Sequence, residues 1–424
     1  MTKIRPFSGL RPLPEYAKEI ASLPYDVMDT EEARLELAKH PLSFLRVTKS
    51  EATMSDCIDP KSPAVYKMAR QNLERYVTEK EMKQDSSLCY YIYRQRMEKN
   101  IQIGLVAAAS VEEYREGIIK KHELTRTDKE QDRVNHIITT MAQTGPVFLT
   151  YKNRVSINAY ILKLMSEKKP VYDFIADDGV QNTLYVVDQL LEVAELTRLF
   201  EEVPAFYIAD GHHRCAGAMR VADTLRGKPG EDADEEYEHF LAVIFPDNMM
   251  HIMDYNRLVK DLCGMTEAQF LEKLQDKFTV EEVAEGKNPK PKARHTFALY
   301  LKGKWYVLKA KAGSFAENDI ISSLDVSILQ TNVLTPLLEI GDPRTDERIN
   351  FVGGIRGLSE LVKRVDSGEY KLAFAMYPTS MSEVMQVADE GKIMPPKSTW
   401  FEPKLRDGMV VHLIGKDEGE NAKA

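Results

Sequence analysis

Two short stretches of this chain concentrate residue types able to do chemistry. The first is "YIADGHHRCAGAMR", where Asp210, Gly211, His212, His213 and Arg214 stand between an apolar run and a helical pattern. Strand, tight glycine turn and helix start form the setting in which backbone N–H groups and the positive end of a helix hold an anion. Arg214 adds a charge-assisted fork in this reading, and His212 and His213 can donate to phosphate oxygens. Asp210 suits a different task, holding Mg2+ or orienting a histidine. The plainer alternative is that these groups cap the helix and pair with one another.

The second stretch is "KKHELTR", with His122, Glu123, Thr125 and Arg126 at a predicted strand end just ahead of a helix. Loops in such places carry function more often than cores do. As a general base, Glu123 would take the proton of an attacking hydroxyl. Its alternative is a solvated carboxylate paired with Lys120, Lys121 or Arg126. A zinc pattern is missing, because there is no HExxH and no CxxC, and vicinal histidines rarely share an ion. The glycines of "RINFVGG" and "GIRG" fit neither a Walker loop nor GxGxxG and read as turns.

The elements that must position these groups can be traced along the chain. Thr30 is expected to head a helix, and "SPAVYKMARQNLERYVTE" reads as a second one. "SLCYYIYRQRME" and "IQIGLVAAASVEEY" form a predicted hairpin. Thr127 followed by Glu130 has capping-box spacing, ahead of a helical stripe at Val134, Ile137, Ile138 and Met141. "GPVFLTY" is a buried strand, and Ile157, Tyr160, Ile161, Leu164 and Met165 mark the next helix. Beyond the first motif, Ala218, Val221, Ala222 and Leu225 form the buried face of another. "RGKPGEDADEEYEH" is an expected surface loop, "EGKNPKPKAR" a weaker linker, and "HTFALYL" pairs with "KWYVLKA".

A chain of 424 residues exceeds what one core usually supports. The expected division is an N-terminal α/β region over 1–115, a core over 116–262, a C-terminal α+β region over 263–415, and a frayed tail over 416–424. The net charge of −9 argues against a general nucleic-acid or membrane-surface binder. No signal-like segment opens the chain and no eighteen apolar residues run together, so neither export nor a membrane span is expected. The four cysteines are scattered, which fits a reducing cytoplasm. The oligomeric state is not fixed by the sequence, and a homodimer is left open.

At its motifs the chain resembles the family catalogued as domain of unknown function 1015, which often carries a ParB-like label. The matching blocks are "LPYDV", "HPLSFLRV", "GLVAAASVEEY", "IKKHELTR", "YIADGHHR" and "MPPKSTWFEPK". The pattern departs at "MDYNRLV", where a turn with proline and histidine is expected. Over about residues 100–260 the order of motifs is also similar to the free serine kinases of the ParB/sulfiredoxin superfamily.

That resemblance implies a mixed α/β fold with a ParB/sulfiredoxin-like, nucleotide- and phosphate-binding core. It implies Glu123 as base, Asp210, Gly211, His212, His213 and Arg214 as the phosphate and Mg2+ loop, and ATP or ADP as donor. His122, Thr125, Arg126, Lys397, Ser398 and Thr399 are candidate binding residues on the same grounds. The implied function is transfer of phosphate to the hydroxyl of free L-serine or a similar small metabolite. The alternative is a nucleotide-binding switch protein without transfer. A sulfiredoxin-like reductase does not fit, because Cys215 follows Arg214 rather than preceding the histidine. The kinase reading requires Glu123 to fold over the histidine–arginine bend in a shared crevice.

Overall fold

The computed structural model describes residues 1–226 and 235–415. The loop expected over "RGKPGEDADEEYEH" falls largely on residues 227–234, outside the described residues, as does the frayed tail expected over 416–424. The class is mixed α/β, as expected. The chain forms two compact units, Met1–Met250 with Pro403–Ala424, and His251–Glu402.

The first unit is built on a mixed nine-stranded sheet. Its strands are β1 Ile4–Arg5, β2 Tyr90–Met97, β3 Asn100–Ser110, β4 Ile119–Lys120, β5 Val147–Tyr151, β6 Tyr172–Ile175, β7 Gln181–Val187, β8 Phe206–Asp210 and β9 His239–Pro246. Their order is β4-β8-β5-β9-β3-β2-β7-β6, with β1 paired to β3. The central strands β5 and β9 are buried along most of their length, so they read as unbroken apolar runs, "VFLTY" and "HFLAVIFP". In this sheet the strands from 1–115 lie between strands from 116–262 on either side, so the boundary placed at residue 115 runs through a hydrogen-bonded ladder. Composition shifts between segments do not register such long-range pairing.

Helices supply the layers. The longer ones are α1 Thr30–Lys39, α2 Pro63–Thr78, α3 Thr127–Thr140, α4 Val155–Glu167, α5 Leu190–Glu201 and α6 His212–Leu225. Ile157, Ile161 and Leu164 of α4, with Leu196 and Phe200 of α5, pack against Leu105, Leu149, Phe206, Ile208 and Phe240 of the sheet. Burying each such side chain is worth roughly 1.5–3 kcal/mol, so this face anchors β8 firmly.

Thr30 heads α1 as expected, with Asp29 as its cap in a capping box with Glu32. A later helix start differs from expectation. The Thr127–Glu130 box does not form, because the cap position falls on Arg126; instead the Thr125 hydroxyl donates to Glu130.

The second unit carries a six-stranded antiparallel sheet: β10 Tyr255–Val259, β11 Phe278–Glu282, β12 Thr296–Leu301, β13 Lys304–Ala310, β14 Ile349–Gly353 and β15 Leu372–Ala375. The order is β11-β13-β12-β15-β10-β14, and β12 and β13 form the expected hairpin. Leu361 and Val365 of the helix Gly357–Asp366 pack on Leu258, Ala298, Val352 and Ala373.

Candidate functional site

The two motifs meet because two strands run side by side in the same direction. β4 and β8 are parallel neighbours, with Ile119 opposite Phe206 and Lys120 opposite Tyr207. His122 therefore leaves β4 at the level where β8 passes through an irregularity between Ile208 and Asp210. Gly211 then turns the chain at φ +98° and ψ 27°, and α6 begins at His212. A Cβ at Gly211 would lie 3.4 Å from the Val147 Cα on the neighbouring strand. Both the left-handed backbone and the close approach favour glycine there.

Metal-ligating atoms of His122, Glu123 and His212 lie within 4.8 Å of one another. Glu123 thus stands beside the head of α6, as the sequence argument required. The histidine pair at this point is not the vicinal one. It takes one ring from each motif, His122 and His212, stacked edge to face with centroids 4.6 Å apart.

Both rings are buried, at 2% and 5% exposure. Burial drives the His122 pKa down to about 4, and drives His212 well below its ordinary value with help from the neighbouring His122. Both are neutral imidazoles near pH 7. The His212 Nε2 lies 3.5 Å from the His122 backbone N–H, longer than a normal hydrogen bond. The Ile208 carbonyl lies near enough to His122 to favour its charged form, yet neither ring nitrogen makes a hydrogen bond of normal geometry.

Asp210 has a partner that sequence reasoning missed. The Lys404 ammonium donates to its carboxylate at 2.8 Å. Burial works to raise the Asp210 carboxyl, but Lys404 and Arg214 hold it well below the usual range. Lys404 is placed by a row of buried amides. Gln102 Nε2 donates to Gln95 Oε1 at 2.9 Å, and Gln95 Nε2 donates at 3.1 Å to Asn182 Oδ1 and at 2.9 Å to the Lys404 carbonyl. The available signal was the glutamines at 95 and 102, polar residues inside strands that are otherwise buried.

His213 and Arg214 face other tasks than the open phosphate fork expected of them. His213 Nε2 accepts the Arg126 backbone N–H at 3.1 Å, so this nitrogen clasps the 122–126 loop rather than donating to an anion. Arg214 is 9% exposed and its Nη1 donates to the Pro146 carbonyl at 2.9 Å. Its Nη2 lies 3.6 Å from Asp26 and has no hydrogen-bond partner. The guanidinium lines a cavity of about 20 Å³ with Tyr25, Arg133, His136, Gln143, Thr144 and Asp407, space for a water. Arg133 and Arg214 lie 3.8 Å and 5.6 Å from the centre of the Tyr25 ring, a cation–π arrangement. Burial pushes the Asp407 carboxyl up to about 7 against the pull of Arg214.

The remaining candidates spread out. Arg126 is exposed and pairs with Asp128 at 3.1 Å. Lys397, Ser398 and Thr399 belong to the second unit. There the Lys397 carbonyl accepts from Arg257 at 3.0 Å and the Ser398 hydroxyl donates to the Pro395 carbonyl at 2.6 Å. A groove of about 730 Å³ beside α2 and α3, lined by Lys61, Tyr66 and Arg70 among others, contains none of the motif residues.

The sequence matches the family described as Protein of unknown function (DUF1015) over residues 4–327, and the chain belongs to that family. A comparison with curated proteins finds no match. Among solved structures, a free serine kinase in complex with AMP is 15% identical, covering 70% of this chain and 86% of its own, with a TM-score of 0.35. A conserved hypothetical protein from Pyrococcus furiosus is 16% identical, covering 73% and 95%, at 0.34. SbnI with C-terminal truncation from Staphylococcus aureus is 11% identical, covering 75% and 92%, at 0.39. Among the described residues no helix is long and apolar enough to cross a membrane.

Proposed function

We propose that this DUF1015 member is a small-molecule kinase that transfers a phosphoryl group from ATP or ADP to the hydroxyl of free L-serine or a similar metabolite. The observation that carries the reading is the placement of Glu123 beside His212 at the head of α6. Phosphoryl transfer asks a protein mainly for positioning, charge neutralisation and a base. Glu123 would accept the hydroxyl proton. The N–H groups at the start of α6, freed by the Gly211 turn, would cradle phosphate oxygens. Asp210 would hold Mg2+, whose shell the phosphates would complete and whose charge would offset theirs. Lys404, 2.8 Å from Asp210, would add a second positive charge at that edge.

The test is incubation of the purified protein with Mg2+, ATP or ADP and a panel of hydroxyl metabolites, with phosphorus NMR of the products. Glu123→Gln is expected to lower kcat by about 10²–10⁴-fold, the usual range for general-base loss, with nucleotide affinity little changed. Transfer that survives both Glu123→Gln and Asp210→Asn removes these residues from the mechanism. A nucleotide that raises the melting temperature without any transfer points to the switch protein instead. A flat thermal response to every nucleotide overturns both readings.

A further inference from the structure

We propose that His122, Glu123 and His212 form a binding site for a divalent transition-metal ion of borderline softness, with zinc or cobalt as the best fit. The inference stands independently of phosphoryl transfer.

Two observations carry it. The first is geometry: two imidazoles and a carboxylate, from two strands that end side by side, bring ligand atoms within 4.8 Å of one another. Three protein ligands of this kind, leaving a position open, are a common arrangement for a reactive zinc ion. The nitrogen donors bias the site toward zinc, cobalt or nickel and away from magnesium, which prefers an all-oxygen shell. The second is the state of His122. Its ring is 2% exposed, and beyond a marginal contact with the Ile208 carbonyl neither nitrogen has a hydrogen-bond partner. Buried polar groups are costly without one, and a metal ion supplies it. The nearby Ile208 carbonyl is suitably placed to receive the other ring N–H once one nitrogen is coordinated, which is how metal-bound histidines are usually oriented.

The sequence hid this set. Its two histidines are 90 residues apart, and the conspicuous vicinal pair diverts attention to His213, whose Nε2 is spent on the Arg126 backbone. One consequence concerns regulation. With an ion coordinated, the Glu123 carboxylate is no longer available to accept a proton, so zinc should oppose any reaction that uses it as a base.

The experiment uses the full chain, stripped with a chelator and titrated with Zn2+ by calorimetry and with Co2+ by visible absorption. Saturable binding of a single ion per chain is expected, with a Co2+ spectrum of low coordination number and no displacement by millimolar Mg2+. His122→Gln and His212→Gln are each expected to weaken binding at least ~10-fold, since even outer partners of metal ligands cost that much. His295→Gln, in the other unit, should bind like the wild type. Where a site variant folds poorly, the wild type decides: zinc should raise its melting temperature in a concentration-dependent way. Absence of saturable zinc binding by the wild type, or binding that survives loss of both histidines, overturns the proposal. Zinc binding with no transfer by the zinc-free protein leaves this site standing and removes the kinase; transfer by the zinc-free protein without any zinc binding does the reverse.

Discussion

His122 offers a sharp quantitative test, because its burial is a statement about stability as well as chemistry. Its pKa falls from 6.5 to about 4 on folding. A group depressed in the folded state contributes stability that is fully present above its unfolded pKa and lost as pH falls toward the folded one. Between pH 7 and pH 5 the unfolded ring gains most of its proton while the folded ring gains little. At about 1.4 kcal/mol per pKa unit, the resulting loss is about 2 kcal/mol for this residue alone.

Total stability does not show it directly. Burial pushes Glu113 and Asp407 up to about 7, and such carboxyls change stability in the opposite direction over the same interval. The clean readout is a difference. His122→Leu removes the titrating ring, so the variant should gain about 2 kcal/mol relative to wild type on going from pH 7 to pH 5, whatever its deficit at pH 7. Urea unfolding followed by far-ultraviolet circular dichroism is the assay, since both tryptophans, Trp305 and Trp400, belong to the other unit. Parallel stability–pH curves for the two proteins would refute the buried, neutral state of His122 on which the site geometry rests.

Other expectations can be checked with single substitutions. Gly211→Ala should cost about 1–2 kcal/mol in unfolding free energy, from the left-handed backbone, and should weaken nucleotide stabilisation in thermal-shift assays if α6 holds phosphate. Asp407→Asn carries the opposite pH signature to His122→Leu. Because the Asp407 carboxyl is raised to about 7, its stability contribution is present at low pH and lost as pH rises. The variant should therefore gain on wild type between pH 5 and pH 8 in the same urea assay. Lys404→Met should destabilise by about 1–2 kcal/mol, below the 3–5 kcal/mol of a fully buried pair, because Asp210 remains partly solvated. The same change should raise the apparent pKa of any activity that depends on ionised Asp210.

Much of the candidate site was legible in one dimension. Strand, glycine turn and helix are local events, governed by apolar periodicity and by the conformational freedom of Gly211, and the structure places them at 206–225 as the pattern implies. Glu123 was legible as a carboxylate at a strand end because the apolar run stops at Ile119 and polar residues follow. The misplaced cap of α3 shows the limit of local spacing: Thr127 has the box spacing to Glu130, yet the hydrogen bond reaches Glu130 from Thr125, five residues away.

Partnerships across the fold were not legible. Which histidine faces His212 depends on the parallel register of β4 and β8, set by side-chain packing over some 90 intervening residues. That Arg214 turns inward to Pro146 and Tyr25, and that Lys404 reaches Asp210 from the far end of the chain, follow from buried amides and close-packed strands. Sequence alone determined which chemical groups were available and which local bends would display them. Tertiary structure decided which groups stand side by side and which charges survive there, because burial and strand pairing act between residues that no local pattern connects.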